Sequence, residues 1–152
     1  SSPHPHGLED IEFLISTNPG AAPQPLGKIA SGGELSRISL AIQVVTASGG
    51  TVPSMVFDEV DVGIGGAVAE VVGGLLRDLA KEAQVLCVTH LPQVAAQGHQ
   101  HLQVSKSADK KTVQTAMSRL DANGRVDEIA RMLGGVKITE QTLAHAREML
   151  ES

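Results

Sequence analysis

The chain has 152 residues, 41% of them hydrophobic, so it can bury the core of one domain of ordinary size. Its 12 Lys and Arg residues against 17 Asp and Glu give a formal net charge of −5, which excludes a uniformly basic nucleic-acid binder and leaves room for a local basic patch. The single cysteine excludes a disulfide scaffold and a cysteine-rich zinc module. Two Phe without Tyr or Trp argue against a platform on which nucleic-acid bases stack. The apolar runs are too short to cross a membrane.

The first part of the chain alternates apolar runs with glycine- and proline-rich breaks. After a flexible polar end at residues 1–10, a short apolar run predicts a strand at Ile11–Ser16, and three prolines predict a loop over 17–30. Apolar residues at helical spacing then predict a helix over Glu34–Ala47. A further apolar run predicts a buried strand at Val52–Phe57.

A parallel strand–helix–strand unit is predicted in the middle of the chain. An acidic and then glycine-rich loop over 58–66 follows the first strand, and a broad apolar face predicts a helix over Ala67–Glu82. The pair Gly73-Gly74 inside that helix costs about 1 kcal/mol per glycine relative to alanine, which indicates a close packing contact. The apolar run at Val85–Val88 predicts a strand that is covered on both faces.

The last third of the chain is predicted to hold a hairpin between helices. Its predicted elements are a short helix at Leu91–Gln97, strands at His99–Lys106 and Thr112–Leu120 with a turn at Ser107–Lys111, a helix over Gly124–Leu133, and a last helix that Thr139 can cap. Together the elements predict an α/β chain with a partly parallel sheet.

The first segment that could carry chemistry is Ser31-Gly32-Gly33-Glu34, at the start of the first predicted helix. One interpretation is a capping box, in which Ser31 caps the helix and Glu34 reaches back three residues. The other is a phosphate site, because glycines at a helix N-terminus let an anion approach the backbone N–H groups and the positive end of the helix dipole. The two interpretations are compatible.

Two further segments place polar side chains at the ends of apolar strands. Asp58 could hold a hydrated Mg²⁺ and Glu59 could orient or deprotonate a water, although a solvated acidic loop is the commoner origin of such a pair. His90 could donate to a phosphate oxygen, or it could only make a local hydrogen bond. Ligands in α/β sheets bind beyond the carboxyl ends of strands, which is where all three residues are predicted to lie.

In their order along the chain, these segments resemble the motifs of ABC-type ATPases. Ser31–Glu34 resembles the signature motif, Phe57-Asp58-Glu59 the end of Walker B and His90 the switch histidine, while Asp61 lies where that family has its D-loop. The resemblance is closer to the C-terminal part of the RecN family, bacterial DNA double-strand-break repair proteins related to the SMC proteins. It runs from about Gly7 to Leu150 and rests on four stretches: Ser31–Arg37, Phe57–Gly66, Val88–Ala96 and Glu128–Gly135.

The resemblance implies the C-terminal lobe of an ABC-type ATPase head, with residues 11–152 as a single α/β lobe that ends in a β-hairpin and helices. It implies ATP and Mg²⁺ as cofactors. Two heads of this kind sandwich ATP, so the implied partners are the N-terminal lobe of the same head, a second head, and DNA bound through the full-length protein. A cytoplasmic, nucleoid-associated location without membrane contact goes with these partners.

The resemblance also implies a role for each matching residue. Asp58 would help to coordinate Mg²⁺, Glu59 would be the catalytic carboxylate, and His90 would contact the γ-phosphate as a second catalytic residue. Asp61 would lie among the nucleotide-binding residues at the head–head interface and couple the two sites, whereas Arg37 receives no defined role. One segment would bind the γ-phosphate of a nucleotide held mainly by the partner subunit: Ser31, Gly32, Gly33 and Glu34.

A P-loop of the form G-x-x-x-x-G-K-[ST] is not found in the sequence. The nearest segment, Ala22–Ile29, lacks the first glycine and the final Ser or Thr, and it contains two prolines. We therefore expect one lobe of a head, without the N-terminal lobe and the coiled coil. Such a lobe should hydrolyse ATP negligibly when it is alone. It should also expose an apolar surface that the N-terminal lobe would cover. Two alternatives stay open: a non-enzymatic module that docks on protein or DNA, and an unrelated single-chain hydrolase built on Asp58, Glu59 and His90.

Smaller signals favour structural interpretations. His99 and His101 share a face of a predicted strand, but no carboxylate or cysteine completes a metal site nearby. Cys87, in the middle of a predicted strand, is expected to be an inert core thiol. A solvated hairpin tip, rather than a DNA contact, is the favoured interpretation of three lysines: Lys106, Lys110 and Lys111.

Overall fold

The computed structural model describes residues 7, 11–16, 18–28, 31–46, 52–109, 112–135 and 137–151. The helices and strands are β1 (Leu14–Ile15), β2 (Gln24–Pro25), α1 (Gly32–Thr46), β3 (Ser54–Phe57), α2 (Gly66–Leu79), β4 (Gln84–Cys87), α3 (Pro92–Ala96), β5 (Leu102–Asp109), β6 (Thr112–Arg119), α4 (Ala122–Gly134) and α5 (Glu140–Glu151). Within those residues, no helix combines the length and the apolar character needed to cross a membrane. The flexible end predicted at residues 1–10 lies outside the described residues, except for Gly7.

The strands β3 and β4 pair in parallel, which confirms the predicted strand–helix–strand unit around α2. Phe57 lies opposite Cys87 and faces the core, while Val56 lies opposite Leu86 on the other face. That second face is open, because Val56, Leu86 and Val88 are 71%, 43% and 59% exposed. The prediction that β4 is covered on both faces is therefore wrong: alternate side chains of an apolar run point to opposite faces of the sheet, and only one face meets the helices.

The main core lies between this small sheet and the helices α1 and α2. Val60, in the loop after β3, is fully buried in it, so core packing anchors the loop that carries the acidic residues. Its buried members are Leu40, Phe57, Val60, Ala69, Val72, Leu76, Leu79 and Val94.

Gly73 accounts for one of the two glycines inside α2. A Cβ built on Gly73 would lie 2.9 Å from Cγ of Gln97 and 3.1 Å from the carbonyl oxygen of Gln93, so a side chain there would push α3 away from α2. A Cβ on Gly74 would meet no neighbouring atom of the described residues within 4 Å. The predicted close packing is therefore confirmed for Gly73 and is not found at Gly74.

The helices α3, α4 and α5 enclose a second, smaller core. Oδ1 of Asp121 accepts a hydrogen bond from the Gly124 amide at 2.8 Å, and this cap lets α4 begin at Ala122, before the predicted Gly124. Thr139 caps α5 as predicted, because its Oγ1 accepts from the Thr142 amide at 3.2 Å. Three residues of this core are fully buried: Ile129, Ala130 and Ala146.

The segment before α1 differs from its prediction. The strand predicted at Ile11–Ser16 is reduced to β1, whose two residues pair antiparallel with β2 inside the predicted loop. The described part of Ala22–Ile29 forms β2 and one 3₁₀ turn at Leu26–Lys28. A strand of two residues is too short to show an alternation of apolar and polar residues, so the sequence gives no signal for it.

The strands β5 and β6 form the predicted antiparallel hairpin. Because β5 begins only at Leu102, His99 and His101 precede the strand and do not share one of its faces, contrary to the prediction. His101 is half-buried, and burial lowers its pKa with help from the charge of Arg125, against the opposing charge of Glu128. No group of three metal-ligating side chains occurs among the residues that the structure describes.

Candidate functional site

The helix α1 begins with the cap that was predicted for Ser31, and no bond from the Glu34 carboxylate back to Ser31 is found among the described residues. Oγ of Ser31 accepts a hydrogen bond from the Glu34 amide at 3.1 Å, and the Ser31 carbonyl accepts from the Leu35 amide at 3.1 Å. Gly33 is buried, whereas Ser31 and Gly32 are exposed. The accessible end of α1 therefore presents the positive end of the helix dipole beside glycines, which suits an anion.

The loop after β3 carries Asp58 and Glu59, and both side chains are exposed. Oδ1 of Asp58 accepts from the Glu59 amide at 2.8 Å. Glu59 has a φ of +60° and is the one non-glycine residue with a positive φ in the described part of the chain. This left-handed conformation costs an L-residue about 1–2 kcal/mol, so contacts around the loop must hold it.

Two side chains of α1 supply such contacts. Oγ of Ser36 donates to the carbonyl of Asp58 at 2.6 Å. Nη1 of Arg37 donates to the carbonyls of Val60 and Val62, at 3.3 and 2.8 Å. The three bonds fall on both sides of the strained residue, so α1 fixes the backbone before and after it.

Both glycines of the first motif permit the close approach between α1 and this loop. A Cβ built on Gly33 would lie 3.1 Å from the carbonyl oxygen of Glu59 and 3.1 Å from Cβ of Val62, and a Cβ on Gly32 would overlap Oε2 of Glu59. The Glu59 carboxylate thus lies beside the N-terminus of α1. The structure brings the glycine motif and the acidic pair together, although they are separate segments of the sequence.

Asp61 is turned into the protein, and its side chain is only 2% exposed. Its Oδ2 accepts hydrogen bonds from Oγ1 of Thr89 at 2.5 Å and from the His90 amide at 3.0 Å, and it lies 3.3 Å from Nδ1 of His90. Burial alone would raise the pKa of Asp61, but the hydrogen bonds and the charge of His90 outweigh burial and lower that pKa. Asp61 therefore joins the loop after β3 to the end of β4, and its contact with a second head stays a prediction.

His90 reaches the same edge of the sheet from β4, and its side chain is 71% exposed. The amide of Val88 donates to the carbonyl of Phe57 at 2.9 Å, so the two strands stay paired up to the point where the polar residues begin. Parallel pairing therefore places Asp58, Glu59 and His90 beyond the carboxyl ends of adjacent strands, as the strand pattern predicted.

The exposed groups at this edge have the donor chemistry that a magnesium–nucleotide complex requires. Mg²⁺ is commonly held by one or two carboxylates together with phosphate oxygens. Of the two carboxylate oxygens of Asp58, only Oδ1 accepts a hydrogen bond from the described residues. The exposed carboxylate can therefore still coordinate a cation through its other oxygen. The residues present therefore fit Mg²⁺ at Asp58 and an anion at the start of α1.

Three residues at the site received no role from the sequence: Ser36, Arg37 and Thr89. Ser36 and Arg37 come three and four residues after Gly33, so helical spacing places all of them on the side of α1 that meets the loop. That spacing is a signal that could have identified them. Thr89 offered no such signal, because its partner Asp61 is 28 residues away in the sequence.

Cys87 lies in β4, near the two aspartates of the site, and Lys106 lies in the hairpin strand β5. Cys87 is half-buried, and burial, followed by the negative charges of two aspartates, raises the pKa of its thiol to about 11, in keeping with an inert thiol. Lys106 is exposed on β5, and Lys110 and Lys111 lie outside the described residues.

No family model matches the chain, but the chain is similar to curated proteins. It is 60% identical, over 149 residues and 98% of its length, to the DNA repair protein RecN of Xylella fastidiosa. It is 58% identical, over 146 residues and 96% of its length, to the DNA repair protein RecN of Vibrio cholerae. The chain spans about a quarter of the length of these relatives, 27% and 26%. The resemblance to part of RecN that the motifs indicated is thereby confirmed over nearly the whole chain.

One solved structure has a similar fold over most of the chain. It is described as "Structural biochemistry of ATP-driven dimerization and DNA stimulated activation of SMC ATPases", and the match covers 82% of this chain and 81% of that one, with a TM-score of 0.51 and 18% identity. At that identity the likeness shows the fold alone. It confirms the predicted α/β class, with its small parallel sheet, flanking helices and hairpin, as a fold found among SMC ATPases.

Proposed function

We propose that this chain is the C-terminal lobe of a RecN-like ATPase head and acts in DNA repair by presenting a signature motif, Walker B end, D-loop and switch histidine to ATP between two heads. One observation carries the proposal: the start of α1, the acidic pair and His90 meet at one edge of the parallel sheet. The names of the relatives and the description of the solved SMC ATPase structure support it.

The start of α1 would bind the γ-phosphate of the nucleotide that a partner head holds. Ser31 and Gly32 are exposed there, and Gly33 and Glu34 continue the segment into the helix. A phosphate would meet the positive end of the α1 dipole, and the small glycines would let its oxygens approach the backbone. DNA would be bound by the full-length protein.

Glu59 would orient or deprotonate the water that attacks the γ-phosphate. Its carboxylate lies beside Gly32 in the free chain, and a phosphate arriving at the start of α1 would repel it. Nucleotide bound at the start of α1 would therefore turn the Glu59 side chain away from that helix.

Asp58 and His90 would complete the groups around the phosphates. Asp58 would hold Mg²⁺, which when bound neutralises negative charge on the phosphate oxygens. The imidazole of His90 is exposed and would donate a hydrogen bond to a phosphate oxygen.

A non-enzymatic docking module is the second candidate, and the open apolar face of β3 and β4 favours it. Val56 and Val88 are more than half exposed on that face. An exposed apolar patch is typical of a surface that binds another protein. A module of this kind would use the same fold without ATP hydrolysis.

The test measures ATP hydrolysis by the chain alone and by the chain mixed with the N-terminal part of a RecN relative that carries a P-loop. We expect hydrolysis only in the mixture. Glu59→Gln should lower kcat by roughly 10²–10⁴-fold, because it removes the base but keeps the side-chain shape. Glu70→Gln, an exposed carboxylate on α2, is the matched control and should leave kcat unchanged.

Three results would contradict the proposal. Hydrolysis by the chain alone that survives Glu59→Gln would favour a single-chain hydrolase with a different phosphate site. A mixture that forms a complex but hydrolyses no ATP would favour the docking module. Equal losses in Glu59→Gln and Glu70→Gln would show that charge, rather than Glu59, determines the rate.

A further inference from the structure

Asp61 is an unusual residue to find buried, because an ionised carboxylate loses most of its hydration inside a protein. In this chain three groups compensate, and all three meet the same oxygen, Oδ2: the hydroxyl of Thr89, the amide of His90 and the imidazole of His90. Two of them belong to His90. Oδ2 is thus engaged within its own chain, and its neighbours are the residues that follow β4.

The bonds of Asp61 fix the backbone of His90 and leave most of its imidazole accessible. Oγ1 of Thr89 donates to Asp61 and accepts from the Leu91 amide at 3.1 Å, so the same hydroxyl also fixes the start of α3. The His90 side chain is 71% exposed even though its backbone amide is tied to a buried group. An exposed side chain on a rigid base is the arrangement that a positioned ligand contact requires.

Asp61 also belongs to the loop that carries Glu59. The Val62 amide donates to the carbonyl of Glu59 at 3.2 Å, and the Ile64 amide donates to the carbonyl of Asp61 at 3.4 Å, so the residues after Glu59 form consecutive turns. A displacement of Asp61 would move this turn and His90 together. Asp61 therefore connects the two candidate catalytic residues: it follows Glu59 by two residues in the chain, and it is hydrogen-bonded to His90.

We infer that Asp61 is a positioning residue, which holds His90 in register with Glu59 through Thr89 and the His90 backbone rather than by touching nucleotide itself. This inference rests on the proposed function, because it assigns Asp61 a task in the same ATP site. It differs from a contact with a second head, since Oδ2 of Asp61 is bonded within its own chain and the side chain is only 2% exposed.

The first test measures amide hydrogen exchange in the chain itself and needs no ATP hydrolysis. Asp61→Asn replaces a carboxylate, which only accepts hydrogen bonds, with an amide that also carries N–H donors. The bond from the His90 amide should weaken, so hydrogen exchange at that amide should accelerate about tenfold or more. Exchange at the Val88 amide, which is bonded to Phe57, should not change. Asp78→Asn, an exposed aspartate paired with Lys81, is the matched control and should leave both amides unchanged.

A second pair of variants keeps this test decisive if Asp61→Asn does not fold. Thr89→Val removes the hydroxyl and keeps the shape, so it should accelerate exchange at the His90 amide. Thr89→Ser keeps the hydroxyl and should restore protection. Unchanged exchange at the His90 amide in Asp61→Asn would overturn the inference, and so would unchanged exchange in Thr89→Val where Asp61→Asn does not fold.

The kinetic test uses the mixture that hydrolyses ATP. Asp61→Asn should lower kcat by roughly 10–100-fold, the effect of a small misplacement of a catalytic group, and should leave KM nearly unchanged. In a His90→Ala background the same substitution should cost little more, because Asp61 acts through His90. Additive losses, or a rise in KM alone, would overturn the inference. A wild-type mixture without activity would overturn the proposed function and the contribution of Asp61 to ATP hydrolysis, whereas hydrogen exchange would still report whether Asp61 holds His90.

Discussion

At the scale of single residues, Glu59 is held in a backbone conformation that destabilises the chain. Its φ of +60° is maintained by bonds from Ser36 and Arg37 to the carbonyls on both sides of it. Strain of this kind persists where the surrounding structure over-determines it, and it is often found at functional sites. The strain at Glu59 is therefore a second reason, besides its charge, to place it in the site.

Glycine at position 59 should give a more stable chain than alanine, by about 1 kcal/mol, because glycine adopts a positive φ without a steric penalty. Glu59→Gly and Glu59→Ala both remove the carboxylate, so their difference isolates the backbone. Urea denaturation of both variants measures it. In the control pair Glu70→Gly and Glu70→Ala, within α2, alanine should be the more stable residue by about 1 kcal/mol. A Glu59→Ala variant as stable as Glu59→Gly would disprove the strain.

Residue-scale predictions held where the relevant partner was close in sequence. Ser31 could be assigned as a cap because the amide that it binds, that of Glu34, is three residues away. The inward turn of Asp61 could not be foreseen, because its bonds to Thr89 and His90 exist only after β3 and β4 pair. Sequence alone places a carboxylate after a strand, but it does not say which way the side chain points.

At the scale of elements, the contact between α2 and α3 depends on one glycine of a pair. Gly73→Ala should destabilise the chain, by about 1–3 kcal/mol, because its Cβ would clash with the backbone of α3 and with the side chain of Gln97, which follows α3. Gly74→Ala should stabilise it by up to about 1 kcal/mol, because alanine favours the helix and its Cβ would meet no atom of the described residues within 4 Å. Urea denaturation of the two single variants tests both signs at adjacent positions. Destabilisation of similar size at both positions would show that helix packing is not the cause.

The order of the elements followed from local signals, whereas several of their boundaries and the coverage of the strands did not. The order strand–helix–strand predicted parallel pairing because a crossover helix returns the chain in the same direction. The run Val85–Val88 looks the same in sequence whether one or both faces are covered, so the open side of Leu86 and Val88 appeared only in the structure. The two-residue strand β1 is too short for any periodic pattern to predict.

At the scale of the whole molecule, apolar side chains remain exposed on the small parallel sheet and on α1. Val56, Leu86 and Val88 face outward from the sheet, and Ile42 and Val45 of α1 are 46% and 80% exposed. Apolar surface of this kind tends to be covered by another protein surface. The expectation of an exposed apolar face, drawn from the resemblance to one lobe of a head, agrees with this arrangement.

The chain should therefore self-associate as its concentration rises, and the sheet face should be where it does so. Val56→Thr with Val88→Thr should weaken the association about tenfold per valine, because each substitution removes roughly 1–2 kcal/mol of apolar burial while it keeps a β-branched shape. Sedimentation velocity over a concentration series measures the effect. Val104→Thr, on the exposed face of the hairpin, is the matched control and should change little.

The same sedimentation series distinguishes association through the sheet face from non-specific association of exposed apolar residues. A chain that stays monomeric at the highest concentration, or a Val104→Thr variant that weakens association as much as the sheet variants, would contradict the assignment of the face. An added N-terminal part of a RecN relative should compete with self-association, because both would cover the same valines. If the Val56→Thr, Val88→Thr variant also fails to bind that N-terminal part, the open face takes part in assembly of the head, which connects the fold of this chain to its proposed activity.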